Sequence, residues 1–204
     1  MTLTAVLLVG GQSRRMGADK ATLEIAGEPL WNRQIRLLRE LNPAALFVSA
    51  RARPAWCPAE IEAVLDEPPS RGPLSGVAAA LQKAQTSHVF ALAVDLPRMT
   101  PDHLRRLCAL RQPGCGCVPL NETLFEPLCA IYPAEAAEFA ARSLAGGDAS
   151  LQHFVQGLQR ENRVRVYPLA AAERRLYHNA NSPEDLERQG SAVPGAPPRG
   201  GPDL

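Results

Sequence analysis

Three uncharged aliphatic runs, Leu3 to Leu8, Ala45 to Ala50 and Val89 to Val94, constrain the fold of this chain more than any other feature. A strand with one face in water alternates apolar and polar residues. Runs that are apolar throughout belong inside a sheet covered on both faces, the usual setting of parallel strands. The spacing between the first two predicts the cover: Leu30, Ile35, Leu37, Leu38 and Leu41 recur at helical intervals, and Asn42-Pro43 ends the helix because a residue before proline avoids the α region. Strand, helix, strand is the start of a parallel sheet.

The rest of the chain extends the pattern. A short extended piece is expected over Ala21 to Ile25 with a turn at Gly27-Glu28-Pro29, a short strand over Ile61 to Leu65, and helices over 74–85, 102–110, 134–144 and 150–158. Gly116 to Leu120 and Leu124 to Ile131 read as two strands joined by Asn121-Glu122. With no helix between them they predict a mixed, partly antiparallel portion. Val164 to Tyr167 is the last strand. The expected architecture is one α/β domain over residues 1–188, a three-layer α/β/α sandwich on a mostly parallel central sheet with a mixed C-terminal part. A Gly-, Pro- and Ser-rich disordered tail is expected over 189–204.

Candidate chemistry gathers at strand ends. The first run stops at Gly10-Gly11, followed by Ser13, Arg14, Arg15, Asp19 and Lys20. Adjacent glycines let the backbone approach a ligand, and Arg15 with Lys20 adds positive charge, a combination suited to a polyphosphate. The spacing is neither that of a P-loop nor that of a dinucleotide fingerprint, and a glycine turn with a solvated basic loop would read the same. The Val89 to Val94 run ends in Asp95-Leu96-Pro97. A carboxylate there sits where open α/β sheets bind ligands and could hold a divalent cation against phosphate; equally, it could cap the helix starting near Pro101. Gly72-Pro73 is a helix start. Ser182-Pro183 is another, which leaves Asn179 and Asn181 free either to bind a ligand or to close a turn.

Composition narrows the function. A formal charge of +1 argues against a dedicated nucleic-acid binder. Five cysteines without a C-x-x-C pair read as reduced thiols of a cytoplasmic protein, and Cys115-Gly-Cys117 alone is a weak metal signal. The short apolar N-terminal run lacks a basic flank and suits neither a signal peptide nor a membrane span.

Several of these motifs also carry a resemblance. Leu8-Val9-Gly10-Gly11-x-Ser13-x-Arg15-Met16-Gly17-x-Asp19-Lys20 resembles the L-A-G-G-x-S-x-R-M-G-x-D-K signature of the molybdenum cofactor guanylyltransferases, within the nucleotide-diphospho-sugar transferase-like superfamily. Gly72-Pro73-Leu74-x-Gly76, Asp95-Leu96-Pro97, Glu126-Pro127-Leu128 and Asn179-Ala180-Asn181-Ser182-Pro183 are similar to further motifs of that family. Val9, Ser49 and Leu96 depart from it, and the stretch Asp148 to Gln152 lacks its arginine.

The resemblance implies a Rossmann-like, GT-A-like nucleotidyltransferase that transfers GMP from GTP to molybdopterin and releases pyrophosphate. It implies Arg15, Lys20 and Asp95 as catalytic residues and Asp95 as the Mg²⁺ ligand. It implies nucleotide contacts from Leu8, Val9, Gly10, Gly11, Lys20, Ser49, Asp66, Gly72, Pro73, Leu74 and Asp95, and molybdopterin contacts from Asn179 and Asn181. Molybdoenzymes or cofactor-delivery proteins would be the protein partners, with no nucleic acid and no membrane. A cytidylyl relative acting on another phosphorylated acceptor, or a non-catalytic GTP-binding carrier, shares most of these features.

Overall fold

The structure is a computed structural model that describes residues 1–9, 20–66 and 70–180. β1 (Leu3–Leu8) is buried along its whole length. Lys20–Thr22 forms a 3₁₀ turn, followed by a hairpin of β2 (Glu24–Ile25) and β3 (Glu28–Pro29). The expected turn at Gly27 to Pro29 lies one residue earlier. Ala26 (φ 51°) and Gly27 (φ 78°) both take left-handed backbone, the type I′ geometry that matches strand twist, so Glu28 and Pro29 are already strand. α1 (Leu30–Arg39) follows, then β4 (Ala45–Ala50), β5 (Glu62–Leu65), α2 (Pro73–Lys83), β6 (His88–Ala93) and α3 (Pro101–Ala109). The chain continues through β7 (Gly116–Asn121), β8 (Leu124–Phe125), β9 (Cys129–Pro133), α4 (Ala136–Ala145), α5 (Leu151–Arg160), β10 (Val164–Pro168) and α6 (Ala171–Arg174). A 3₁₀ turn at Arg175–Tyr177 closes this order.

The strands join in the order β10-β7-β9-β6-β1-β4-β5, with β8 paired to β7. β1 is parallel to both neighbours, Leu8 standing opposite Ser49 of β4 and Ala93 of β6. β9 runs against β6 and β7 and is the reversed strand of the main path. The mostly parallel sheet with a mixed C-terminal part is therefore the observed one.

The apolar runs serve two cores. Ala5 and Leu7 of β1, with Phe90 and Leu92, meet Leu30, Ile35 and Leu38 of α1 and Leu104 and Leu107 of α3. Val6 and Leu8, with Val89 and Ala91, meet Leu74, Val77 and Leu81 of α2, Ala140 of α4 and Phe154 of α5. Each fully buried Leu or Ile contributes about 2 kcal/mol of transfer free energy. A charge anywhere in β1 would forfeit one of these faces. Among the described residues no helix is long and apolar enough to cross a membrane.

The expected strand over Leu124 to Ile131 is two strands. Leu120 pairs with Phe125, but Cys117 pairs with Ile131, three residues further than a regular ladder would reach. Proline cannot donate to a ladder, and Glu126-Pro127-Leu128 bulges out between β8 and β9. α6 and the 3₁₀ turn after it carry no apolar periodicity and were not legible in the sequence.

Two glycines make opposite predictions. A Cβ on Gly116 would lie 2.0 Å from the Ile131 carbonyl oxygen, so the two backbones must separate to admit it. Gly116→Ala should cost about 3 kcal/mol, the upper end for overpacking. Gly157, inside α5, has nothing within 4 Å of its Cβ position. Gly157→Ala should stabilise the fold by about 0.5 to 1 kcal/mol. Urea midpoints of the two variants check both signs.

Candidate active site

The crossovers from β1 and β6 leave in opposite directions, β1 toward β4 and β6 toward β9 and β7. That divergence opens a crevice at the C-terminal ends of these two central strands, where doubly wound sheets bind ligands. The rim is firmly built. The Val9 N–H donates to the Ser49 carbonyl at 3.1 Å and the Val94 N–H to the Leu8 carbonyl at 3.1 Å, fastening the end of β1 on both sides.

Asp95 leaves β6 at this rim, and Lys20 returns to it from the other end of the basic loop. Lys20 Nζ stands 3.5 Å from Asp95 Oδ2, with both side chains about one-quarter exposed. Lys20 also makes further interactions. The turn carrying Asp95 is tied from α1: Gln34 Nε2 donates to the Leu96 carbonyl at 2.7 Å and Arg33 Nε to the Pro97 carbonyl at 2.9 Å. Asp95 does not cap α3; Thr100 does, its Oγ1 accepting from the His103 N–H at 3.3 Å. The carboxylate is thereby left to face the crevice end of the sheet.

From the far side, the Ala180 N–H donates to the Asp95 carbonyl at 2.9 Å. This sets Asn179, which is exposed, beside the rim. The approach of the 178–180 segment is fixed by a buried group. Tyr177 shares a 2.7 Å hydrogen bond with His103 Nε2, and Glu173 stands 3.5 Å from His103 Nδ1. A carboxylate only accepts, so Nδ1 carries the proton and Nε2 accepts from the tyrosine.

A second group lies on the β4 side, two strands from β6 and so about 10 Å across the sheet. Ser49 Oγ donates to Asp66 Oδ1 at 3.2 Å and Ser70 Oγ to Asp66 Oδ2 at 2.9 Å. α2 approaches closely because Gly76 has no side chain: a Cβ there would stand 2.5 Å from Ser49 Oγ. Gly72 enters the helix at φ 83°, a backbone suited to glycine, and Pro73 occupies a first-turn position. Leu74 is wholly buried and packs in the core beneath the helix start.

The structure thus brings Leu8, Val9, Lys20, Asp95 and Asn179 to one rim, and Ser49, Asp66, Gly72, Pro73 and Leu74 to its β4 side. Gly10, Gly11, Arg15 and Asn181 lie outside the described residues. Gln34, Arg33 and Ser70 were missed. Gln34 had a signal: it stands four residues from both Leu30 and Leu38, a polar side chain within the apolar stripe of α1. Arg33 is half-buried against the Asp95 turn.

A mostly parallel sheet of this strand order, with its polar side chains gathered at the switch point, is the architecture of the Rossmann-like nucleotidyltransferases. The model of the MobA-like NTP transferase domain matches residues 5–164. A probable molybdenum cofactor guanylyltransferase from Opitutus terrae is 41% identical over 193 residues, spanning 92% of this chain and 94% of the relative. The chain belongs to the MobA-like NTP transferase family, in the branch of the molybdenum cofactor guanylyltransferases.

Two solved structures share the fold. Molybdopterin-guanine dinucleotide biosynthesis protein A from Archaeoglobus fulgidus superposes with a TM-score of 0.68 at 23% identity, covering 92% of this chain and 97% of that one. The 2-C-methyl-D-erythritol 4-phosphate cytidylyltransferase from Thermus thermophilus superposes at 0.66 with 16% identity, covering 91% and 96%.

The contact between Gly76 and Ser49 is testable. Gly76→Ala should cost about 1 to 3 kcal/mol, and markedly less in a Ser49→Ala background, where the obstructing hydroxyl is gone. A double-mutant cycle of urea midpoints measures the difference.

The histidines predict a pH dependence. Burial lowers the pKa of both His103 and His88, against opposing pulls from Glu173 on the first and from the Cys115 and Gln112 carbonyls on the second. Arg106 near His103 and Arg111 near His88 act in the same direction as burial. Each ring therefore gives up its proton at a lower pH in the folded chain than in the unfolded one, which titrates near the usual value of about 6.5. Their contribution is therefore complete above that pH and is lost progressively as the pH falls through it. The melting temperature should drop between pH 7.5 and 5.5, and His103→Gln should flatten that slope.

Proposed function

We propose that this protein transfers GMP from GTP to molybdopterin, forming the guanine dinucleotide cofactor and releasing pyrophosphate. The observation that carries the reading is the Lys20–Asp95 pair at the switch point of the sheet, in a chain aligned over 92% of its length with a guanylyltransferase. An oxygen of molybdopterin's terminal phosphate forms a bond to the α-phosphorus of GTP. The bond from that phosphorus to the bridging oxygen breaks, and pyrophosphate leaves with the electron pair. A phosphate monoester is already largely ionised at neutral pH, with a second pKa near 6; no general base is required. Catalysis then rests on positioning and on neutralising charge.

The chain's residues divide that work. Lys20 and Arg15 face the β- and γ-phosphates and offset the charge that builds on leaving pyrophosphate. The backbones of Leu8, Val9, Gly10 and Gly11 hold the nucleotide from the end of β1. Ser49, Asp66 and the Gly72-Pro73-Leu74 helix start hold its base and ribose on the β4 side. Asn179 and Asn181 contact molybdopterin from the side where Ala180 meets Asp95.

Asp95 suits Mg²⁺. Its oxygens are hard donors, and among the described residues no group of three or more His, Cys, Asp or Glu converges to form a closed cage. Mg²⁺ commonly takes one or two protein carboxylates and completes its shell with phosphate and water. When bound, it neutralises phosphate charge. The five free thiols accord with a reducing cytoplasm, where the product would pass to molybdoenzymes or to the proteins that supply them.

The test combines binding and turnover. GTP at 100-fold over its Kd should add about 2.7 kcal/mol of stability, a rise of several degrees for a chain of this size, in the presence of Mg²⁺. Asp95→Ala and Lys20→Ala should each lower turnover by at least ~10²-fold, the scale of one preorganised electrostatic contact. A shift with CTP in place of GTP would move the protein to a cytidylyl branch. GTP binding without pyrophosphate release in the presence of molybdopterin would leave it a carrier.

A further inference from the structure

Gln34 is poorly chosen for a residue whose only duty is to the fold. It lies four residues from both Leu30 and Leu38, in the stripe that α1 turns to the core, and it is fully buried. Its Oε1 is buried with no hydrogen-bond partner among the described residues. A buried acceptor left unpaired is destabilising, and a methionine of similar volume would fill the stripe without that penalty.

The donor half of the amide is not required for local pairing either. Nε2 donates to the Leu96 carbonyl at 2.7 Å, but that oxygen also accepts from the Met99 N–H at 3.3 Å. The Leu96 carbonyl would therefore keep a partner without Gln34. What the amide adds is a tie between elements, from α1 to the turn that follows β6. It is the shortest bond on that turn: Arg33 Nε reaches the Pro97 carbonyl at 2.9 Å, and the Ala180 N–H reaches the Asp95 carbonyl at 2.9 Å.

The start of the same helix also holds Lys20. The Leu30 N–H donates to the Leu23 carbonyl at 2.8 Å, and the Leu23 N–H to the Lys20 carbonyl at 3.2 Å. Ala21, next to Lys20, is wholly buried in the core that Leu30 and Ile35 share. Both members of the Lys20–Asp95 pair are thus anchored to α1, one through the Leu30 backbone and the other through the Gln34 side chain. Those two anchors are about one helical turn apart.

We propose that Gln34 is a positioning residue for the transfer: by joining α1 to the Leu96 carbonyl it sets where Asp95 stands relative to Lys20. This rests on the reading of Lys20 and Asp95 as parts of a guanylyltransferase site. Gln34, fully buried, touches no substrate and acts through Asp95. Its unpaired oxygen is a case of stability given up for geometry at a functional site.

The experiment separates stability from turnover. Gln34→Met keeps the volume and removes both polar atoms. Its urea midpoint should equal or exceed that of the wild type, while kcat falls by about 10- to 100-fold, the upper figure being the scale of a 1 Å misplacement. The KM for GTP at saturating Mg²⁺ should stay as in the wild type. The Mg²⁺ concentration that gives half of the GTP-induced rise in melting temperature should increase several-fold, because Asp95 is less well placed. In an Asp95→Ala background Gln34→Met should cost no further turnover, since its effect passes through Asp95. A lowered urea midpoint would assign the amide to the fold and overturn the proposal. So would an unchanged kcat, an unmoved Mg²⁺ requirement, or a loss in Asp95→Ala as large as that in the wild type. A wild-type protein that releases no pyrophosphate from GTP and molybdopterin would overturn the functional reading instead, and the urea midpoint and Mg²⁺ requirement would still judge the positioning.

Discussion

The double parallel pairing of β1 is the constraint from which the rest of the molecule follows. A strand hydrogen-bonded in parallel on both edges must be apolar on both faces, and its connections must climb over the sheet in crossovers. Because the two crossovers part at β1 and β6, neither covers the rim between them. Polar side chains can stand there without being buried by a helix, while the backbone beneath them is held by Val9 and Val94. Rigidity below and openness above come from one topological fact.

Charge is handled differently on the two sides of that rim. Elsewhere on the surface Glu40, Glu60, Asp102 and Glu122 are met by arginines, exposed pairs worth little to stability. At the rim the pattern changes: Asp66 is held by two serines, and Asp95 stands beside a lysine. Neutral donors orient a carboxylate without cancelling its charge.

Much of this was legible in the sequence for physical reasons. The uncharged runs at Leu3 and Val89 admit one structural setting, and the position of Asp95 at the end of the second run follows from counting. Helix boundaries came within a few residues because prolines and glycines mark them. The hairpin turn at Ala26 was hidden because alanine rarely takes left-handed backbone. The break at Glu126 to Leu128 was hidden because its apolar residues read as a continuing strand. Gln34 and Arg33 act through tertiary contacts whose partners are far away in sequence. No local pattern announces such contacts, although a polar residue within an apolar stripe is a reason to look. The glycine-rich loop, with its resemblance to a family signature, pointed to the right class of chemistry.

The bond from the Ala180 amide to the Asp95 carbonyl has a consequence for the nascent chain. Chains emerge N-terminus first at about 5 to 20 residues per second, so β1, the loop and Asp95 are all exposed before the segment that completes their rim has been made. Until that segment leaves the ribosome, the Asp95 carbonyl has no donor from it, and Tyr177 is not there to meet His103. The centre is therefore finished by nearly the last part of the fold to be synthesised, and a partly translated chain has the parts of the site without the site.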